Sequence, residues 1–163
     1  MEADSSPRRL NSREETRDVV IALVEGARGH LDILSPVLDP AIFDQANVVT
    51  AIRELVVRAS ARARVRILVE DAAAVARNGH QLLALGHRLS TAIDFRRLAA
   101  EDRGGSDSLI IADRDGLLRW DAGIGLHGVD RSKDRVAAVA EGLEFDRRWE
   151  RAADDPDLRR LAL

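Results

Sequence analysis

The chain has 163 residues, of which 45% are apolar and 33% charged, with a formal net charge of −3. That balance excludes a disordered polyelectrolyte and suffices for one ordinary domain with a real core. No apolar run approaches membrane-spanning length, and the opening Met1-Glu2-Ala3-Asp4 is acidic and polar, so neither a transmembrane helix nor a secretory signal is expected. With no cysteine, disulfides, thiolate nucleophiles and cysteine-ligated zinc drop out. A cytoplasmic location is expected. Lys133 is the single lysine and lies in no glycine-rich phosphate turn. The acidic balance argues against a general nucleic-acid binder, which needs a basic face.

In chain order, residues 1–11 are expected as a disordered leader, being small and charged, with Pro7 and no apolar period. Residues 12–163 are expected as one domain. Ser12 and Glu15 have capping-box spacing, and Val19, Val20, Leu23, Val24 and Ala27 continue at helical intervals. His30 to Ser35 is strand-like. Asp39-Pro40 opens a second helix, whose apolar stripe runs from Ile42 and Phe43 to Val56 and Ala59. Val65 to Val69 is a strand buried on both faces. Ala72 to Leu89 is helical, interrupted at Asn78-Gly79. Ile93 to Arg96 is a further strand. Asp113-Arg114-Asp115-Gly116 is a tight turn joining Leu109–Ala112 to Leu117–Trp120 as a hairpin. Lys133 to Ala152 is the last helix, stopped at Asp154-Asp155-Pro156, and Leu158, Leu161 and Leu163 suggest a tail folding back. Early alternation of strand and helix implies parallel pairing, and the late hairpin adds antiparallel pairing. The fold class is therefore α/β, with a mixed, mostly parallel central sheet flanked by helices.

The segment Ser106-Asp107-Ser108-Leu109-Ile110-Ile111-Ala112-Asp113 has the spacing HxKxxxxD, with serine at the histidine and lysine positions. Residues i and i+2 of a strand share a face, so this spacing presents two side chains to one substrate. With its flanking strands and the Phe145-x-x-x-Trp149 of the last helix, the chain resembles one half of a phospholipase D-like fold over nearly its whole length. It is similar to a small bacterial group in that superfamily that lacks the catalytic pair. In the family, the histidine attacks phosphorus, the lysine binds phosphate and the aspartate supports the site. Asp113 matches that aspartate, whereas Ser106 and Ser108 only occupy the places of the pair. Trp120-Asp121 also stands where the family has Gly-Ser and asparagine. A serine needs an adjacent base to become a nucleophile, and none is near in sequence.

Other constellations are weaker. Gly123-Ile124-Gly125-Leu126-His127-Gly128 matches GxGxxG, but no later strand can carry the acidic ribose contact, so a flexible connection is expected. His80 and His87 lack a carboxylate at ligand spacing and form no metal site. The arginine pairs lie near acidic residues, as solvated faces do. Arg96 and Arg119 stay open as phosphate contacts because guanidinium forks suit oxyanions, and His127 stays open as a loop histidine that could face the degenerate cleft.

These readings lead to a non-catalytic binding domain or interaction scaffold, with no cofactor and no metal. Two alternatives stand beside it: a phosphodiesterase or other hydrolase with altered residues, using His127 with Ser106 or Ser108, and a phosphate or nucleotide sensor. The resemblance implies two half-domains meeting across one cleft. A homodimer through the Ser106 end and the Gly123–Gly128 loop is therefore expected, or pairing with another protein such as an acetyltransferase domain.

Overall fold

The computed structural model describes residues 6–77, 79–121 and 127–159. Its strands are β1 (Arg8–Leu10), β2 (His30–Leu34), β3 (Arg64–Val69), β4 (Ile93–Arg97), β5 (Asp107–Ala112), β6 (Gly116–Asp121) and β7 (His127–Arg131). The helices are α1 (Arg13–Gly26), α2 (Pro40–Phe43), α3 (Ala46–Ala59), α4 (Ala72–Arg77), α5 (Gln81–Arg88), α6 (Arg135–Arg151) and α7 (Pro156–Arg159). Local chemistry sets the boundaries of the long helices. The Ser12 hydroxyl accepts the Glu15 N–H at 3.0 Å to open α1, and the Asp134 carboxylate accepts the Ala137 N–H at 3.0 Å to open α6.

All seven strands form one sheet in the order β1-β7-β6-β5-β2-β3-β4. The mixed, helix-flanked α/β architecture is the one expected. Its parallel part is smaller than expected: only β2–β3 and β3–β4 are parallel, and β1–β7, β7–β6, β6–β5 and β5–β2 are antiparallel. Short connections between successive strands account for β6–β5 and β7–β6, since only the early strands are joined by crossover helices, whereas β5–β2 and β1–β7 pair strands far apart in the chain.

The sheet carries one core on each face. Ile110 and Ala112 of β5, with Leu118 and Trp120 of β6, belong to the core shared with α1, α3 and α5. Leu109, Ile111 and Leu117 belong to a second core under α6, with Ala138, Phe145 and Trp149. Period-two alternation along the hairpin produces this division. Ile67, Val69, Leu109, Ile111, Phe145 and Trp149 are all buried.

Arginines fasten α6 to the sheet. Arg66 donates Nε to Asp32 and Nη2 to Asp146, both at 2.8 Å, and its guanidinium lies 5.1 Å from the Phe145 ring centroid. Burial disfavours the Arg66 charge, but the bonds to Asp32 and Asp146 outweigh it and hold the pKa above the usual arginine value. Burial likewise works against ionised Asp146, and Arg66 and Arg114 together overcome it, keeping its carboxyl below the usual range. Arg96 stacks on Trp149 at 4.4 Å.

Two expectations fail at the sheet's far side. The leader expected over residues 1–11 is not wholly leader, because Arg8–Leu10 pairs antiparallel with β7 and Leu10 is buried. The expected flexible connection over Gly123–Gly128 ends in strand, because His127 and Gly128 open β7. Residues 122–126 lie outside the described residues. Both strands escaped notice because they are short and charged, as edge positions tend to be. Asn78 and the tail residues Leu161 and Leu163 also lie outside the description. Gly79 has φ +59 between α4 and α5, as the expected interruption requires. Leu158 is buried, and its carbonyl meets the His87 Nε2 at 2.7 Å.

Candidate functional site

The hairpin places the two serines differently. Ser108, on β5, turns toward the α1 and α3 layer and is 2% exposed. Ser106 lies one residue before the strand and is exposed, with its hydroxyl 3.3 Å from an Asp121 carboxylate oxygen. Asp113 stands at the opposite end of β5, in a turn whose Asp113 and Arg114 both have positive φ (51° and 55°). A type I′ hairpin turn demands that pair of conformations. Its carboxylate accepts the backbone N–H groups of Arg28, Gly29 and His30 at 2.6, 3.2 and 2.9 Å. Asp113 thus ties the α1–β2 connection to the hairpin.

Around Ser108 the polar groups form a closed shell. The hydroxyls of Ser108 and Ser35 are 2.8 Å apart, and either can donate. Ser35 Oγ also accepts the Asp39 N–H at 2.8 Å. Asp39 then caps α2, accepting the Ala41 N–H at 3.1 Å on one oxygen and the Trp120 Nε1–H at 3.0 Å on the other. Trp120 is the cross-strand partner of Ser108 and packs on Phe43 with ring centroids 5.7 Å apart. Gly128 follows on the next strand; a Cβ there would come within 3.2 Å of the Leu10 Cβ, so glycine lets Leu10 and Trp120 close over the sheet. Among the described residues no buried side-chain polar atom lacks a partner.

His80 is buried and bonds to the residue before Asp39. Its Nδ1 accepts the Leu82 N–H at 3.2 Å, so in the neutral ring the proton is on Nε2, which donates to the Leu38 carbonyl at 2.9 Å. Burial pushes the His80 pKa below its ordinary value, against the opposing pull of the Leu38 carbonyl and Asp44.

The remaining expected contacts are not gathered at this cluster. Arg96 is on the α6 face, stacked on Trp149 and donating Nη1 to the Trp149 carbonyl at 3.0 Å. Arg119 is on that face too, paired with Glu141 at 2.7 Å and Asp107 at 3.6 Å. His127 is exposed at the start of β7, opposite Asp121. The sheet separates both arginines from Ser108, because odd and even positions of β4, β5 and β6 face opposite layers.

Sequence reasoning missed Ser35, Asp39 and Trp120 as members of one cluster with Ser108. Trp120 was within reach: the Asp113 turn fixes a hairpin register that sets it opposite Ser108. It also missed a cavity of about 420 Å³ on the α6 face, lined by His30, Asp32, Arg64, Arg66, Asp113, Arg114 and Asp146. The charges of Arg66, Arg114, Asp32 and Asp146 there are already spent on one another. Among the described residues no group of three or more His, Asp or Glu side chains could hold a metal ion.

The seven-stranded mixed sheet flanked by helices is an α/β architecture that matches phospholipase D-like folds. The chain is similar over 92% of its length to Nuc of Salmonella typhimurium, a phospholipase D family member, at 15% identity and TM-score 0.63, covering 97% of that chain. It is similar to NucT of Helicobacter pylori at 14% identity and TM-score 0.63, covering 92% of this chain and 99% of that one. It also matches TrmBL2, an archaeal chromatin protein with a novel mode of DNA binding, at 13% identity and TM-score 0.67. That match covers 95% of this chain and spans 57% of the archaeal chain. At such identities the likeness is one of fold. Comparison with curated protein sequences gives no match. The chain belongs to the family described as Domain of unknown function (DUF7931), whose model matches residues 12–161.

Proposed function

We propose that this chain is a non-catalytic phospholipase D-like domain that acts by binding. One observation carries the reading: the position of the family's phosphate-binding lysine is Ser108, buried and enclosed by Ser35, Asp39 and Trp120. A substrate cannot reach a hydroxyl in that setting. The altered-hydrolase alternative is left with exposed Ser106, whose hydroxyl donates to the Asp121 carboxylate, with His127 across from Asp121 on β7. A carboxylate orients a hydroxyl but is too weak a base to activate it at neutral pH. A protein partner, such as an acetyltransferase domain, is compatible with this reading.

The test is an assay of the purified chain on bis(4-nitrophenyl) phosphate and on phospholipid vesicles. No turnover above buffer is expected. Turnover abolished by Ser106→Ala overturns the proposal. Because the archaeal relative in fold is described as binding DNA, duplex DNA belongs in the same series. With a net charge of −3, no salt-sensitive complex is expected.

A further inference from the structure

We propose that the cavity on the α6 face is a binding site for inorganic phosphate, held by Arg64, Arg66 and Arg114 and recognised through its proton by Asp32. The proposal deepens the binding reading above by naming a ligand. The two fail separately, because turnover at Ser106 would leave this cavity untouched.

The cavity lies at the end of the sheet opposite Ser106. His30 and Arg64 are register partners at the starts of the parallel strands β2 and β3, and the pair Asp32 and Arg66 follows two residues on. Period two puts all four side chains on one face. Helix α6 adds Asp146 over that face, and the hairpin turn adds Asp113 and Arg114. Since β5 runs antiparallel to β2, Ser106 lies beyond the Leu34 end of β2 and this site at the His30 end. The space of about 420 Å³ falls within the roughly 300–1,000 Å³ of small-molecule pockets.

Charge is balanced in the lining, three arginines against three aspartates, but hydrogen-bonding capacity is not. Both oxygens of Asp113 accept backbone N–H groups, from Arg28, Gly29 and His30. Both oxygens of Asp146 are taken, one by Arg66 and the other by Arg114. The arginines have donors to spare, because a guanidinium carries N–H on every nitrogen. Arg66 donates only through Nε and Nη2, and Arg114 only through Nη2. The side chains of Arg64 and His30 are exposed and make no hydrogen bond or ion pair among the described residues.

The more buried pair also turns free atoms into the cavity. The Arg66 and Asp32 side chains are only 14% and 10% exposed, and neither Arg66 Nη1 nor Asp32 Oδ2 has a hydrogen bond among the described residues. No buried side-chain nitrogen or oxygen among those residues lacks a partner, so solvent reaches both atoms. The space that both residues line is this cavity. It therefore presents several guanidinium donors and one carboxylate acceptor.

That combination is selective. Guanidinium forks suit oxyanions, but the acceptor beside them is satisfied only by an oxyanion that carries a proton. Inorganic phosphate carries one at neutral pH. Sulfate and phosphodiesters do not, and a phosphate monoester, with its second pKa at about 6, has mostly lost its own. Facing any of these, Asp32 Oδ2 would meet a bare oxygen and stay unpaired.

Isothermal titration calorimetry of the whole chain at pH 7, in a buffer without other oxyanions, tests this. Inorganic phosphate should bind with a Kd between about 1 µM and 1 mM. Sulfate, dimethyl phosphate and ribose 5-phosphate should each bind at least about tenfold more weakly. Arg64→Ala removes an exposed side chain with no bond of its own, so circular dichroism should be unchanged while phosphate affinity falls at least about tenfold. Asp32→Asn keeps the Oδ1 acceptor for Arg66 and makes the other atom a donor, so sulfate should then bind at least as tightly as phosphate. Should that variant not fold, the anion series on the parent and Arg64→Ala decide alone. A phosphate Kd weaker than about 1 mM, a parent chain that binds sulfate or ribose 5-phosphate as tightly as phosphate, an Arg64→Ala chain that binds like the parent, or a folded Asp32→Asn chain that still prefers phosphate overturns the proposal.

Discussion

Replacing Trp120 tests the closed shell around Ser108 directly. The indole is 1% exposed, packs on Phe43 and donates Nε1–H to the buried Asp39 carboxylate at 3.0 Å. Burying about 150–250 Å² of indole at about 25 cal/mol per Å² gives roughly 4–6 kcal/mol as an upper bound. Measured truncations of this kind cost about 3–5 kcal/mol, and Trp120→Ala should fall there. Trp120→Phe isolates the hydrogen bond: the ring contact with Phe43 survives, but Asp39 keeps only its bond from the Ala41 N–H. A buried carboxylate short of one donor should cost about 1–3 kcal/mol. Urea unfolding followed by far-ultraviolet circular dichroism measures both, since the substitution removes one of two tryptophan fluorophores. In a cycle with Asp39→Ala, the two changes should couple by at least about 0.5 kcal/mol. A Trp120→Phe variant as stable as the parent, or additive changes in the cycle, would refute the claim that this bond holds the shell shut.

Trp149→Ala should cost about 3–5 kcal/mol by the same assay, because the indole is buried and clamped between α6 and the arginines of β3 and β4; a loss under about 1 kcal/mol would show that α6 is held mainly by its ion pairs. His80 gives the chain a pH dependence. Its folded pKa is depressed, so below about 6.5 the unfolded chain binds the proton more readily and stability falls with falling pH until the folded pKa is reached. His80→Asn keeps an N-cap acceptor and removes this titration, so its urea midpoint should fall less between pH 7 and pH 5 than the parent's. Parallel curves would assign the acid sensitivity to other groups.

Much of the fold was legible because its signals are local. Capping at Ser12 and the apolar run Val65–Val69 report periods that the surrounding layers obey, whereas the single helix expected from Asp39 to Ala59 breaks at Asp44–Gln45 into α2 and α3. The Asp113 turn announced the hairpin, and the HxKxxxxD spacing announced the motif strand. β1 and β7 gave no such signal, because edge strands have one paired side and carry charges such as Arg8, Arg9 and Asp130. Calling the sheet mostly parallel followed from the early strands alone; the strand order β5-β2, which inserts the hairpin beside the first parallel strand, is a long-range choice.

The sequence by itself determined that serines stand at the first and third positions of the HxKxxxxD spacing, since that is a matter of residue identity. Only the tertiary structure decided what those two positions meet. Ser106 and Ser108 differ by two residues, yet one meets solvent and the other is closed in by Ser35, 73 residues away, and by Trp120 from the neighbouring strand. Arg96 and Arg119 read as candidate phosphate contacts until the sheet put them on its other face, stacked on Trp149 or paired with Glu141. Spacing along a strand tells which residues share a face, but which layer covers that face, and whether it leaves room for a ligand, depends on packing between elements far apart in the chain.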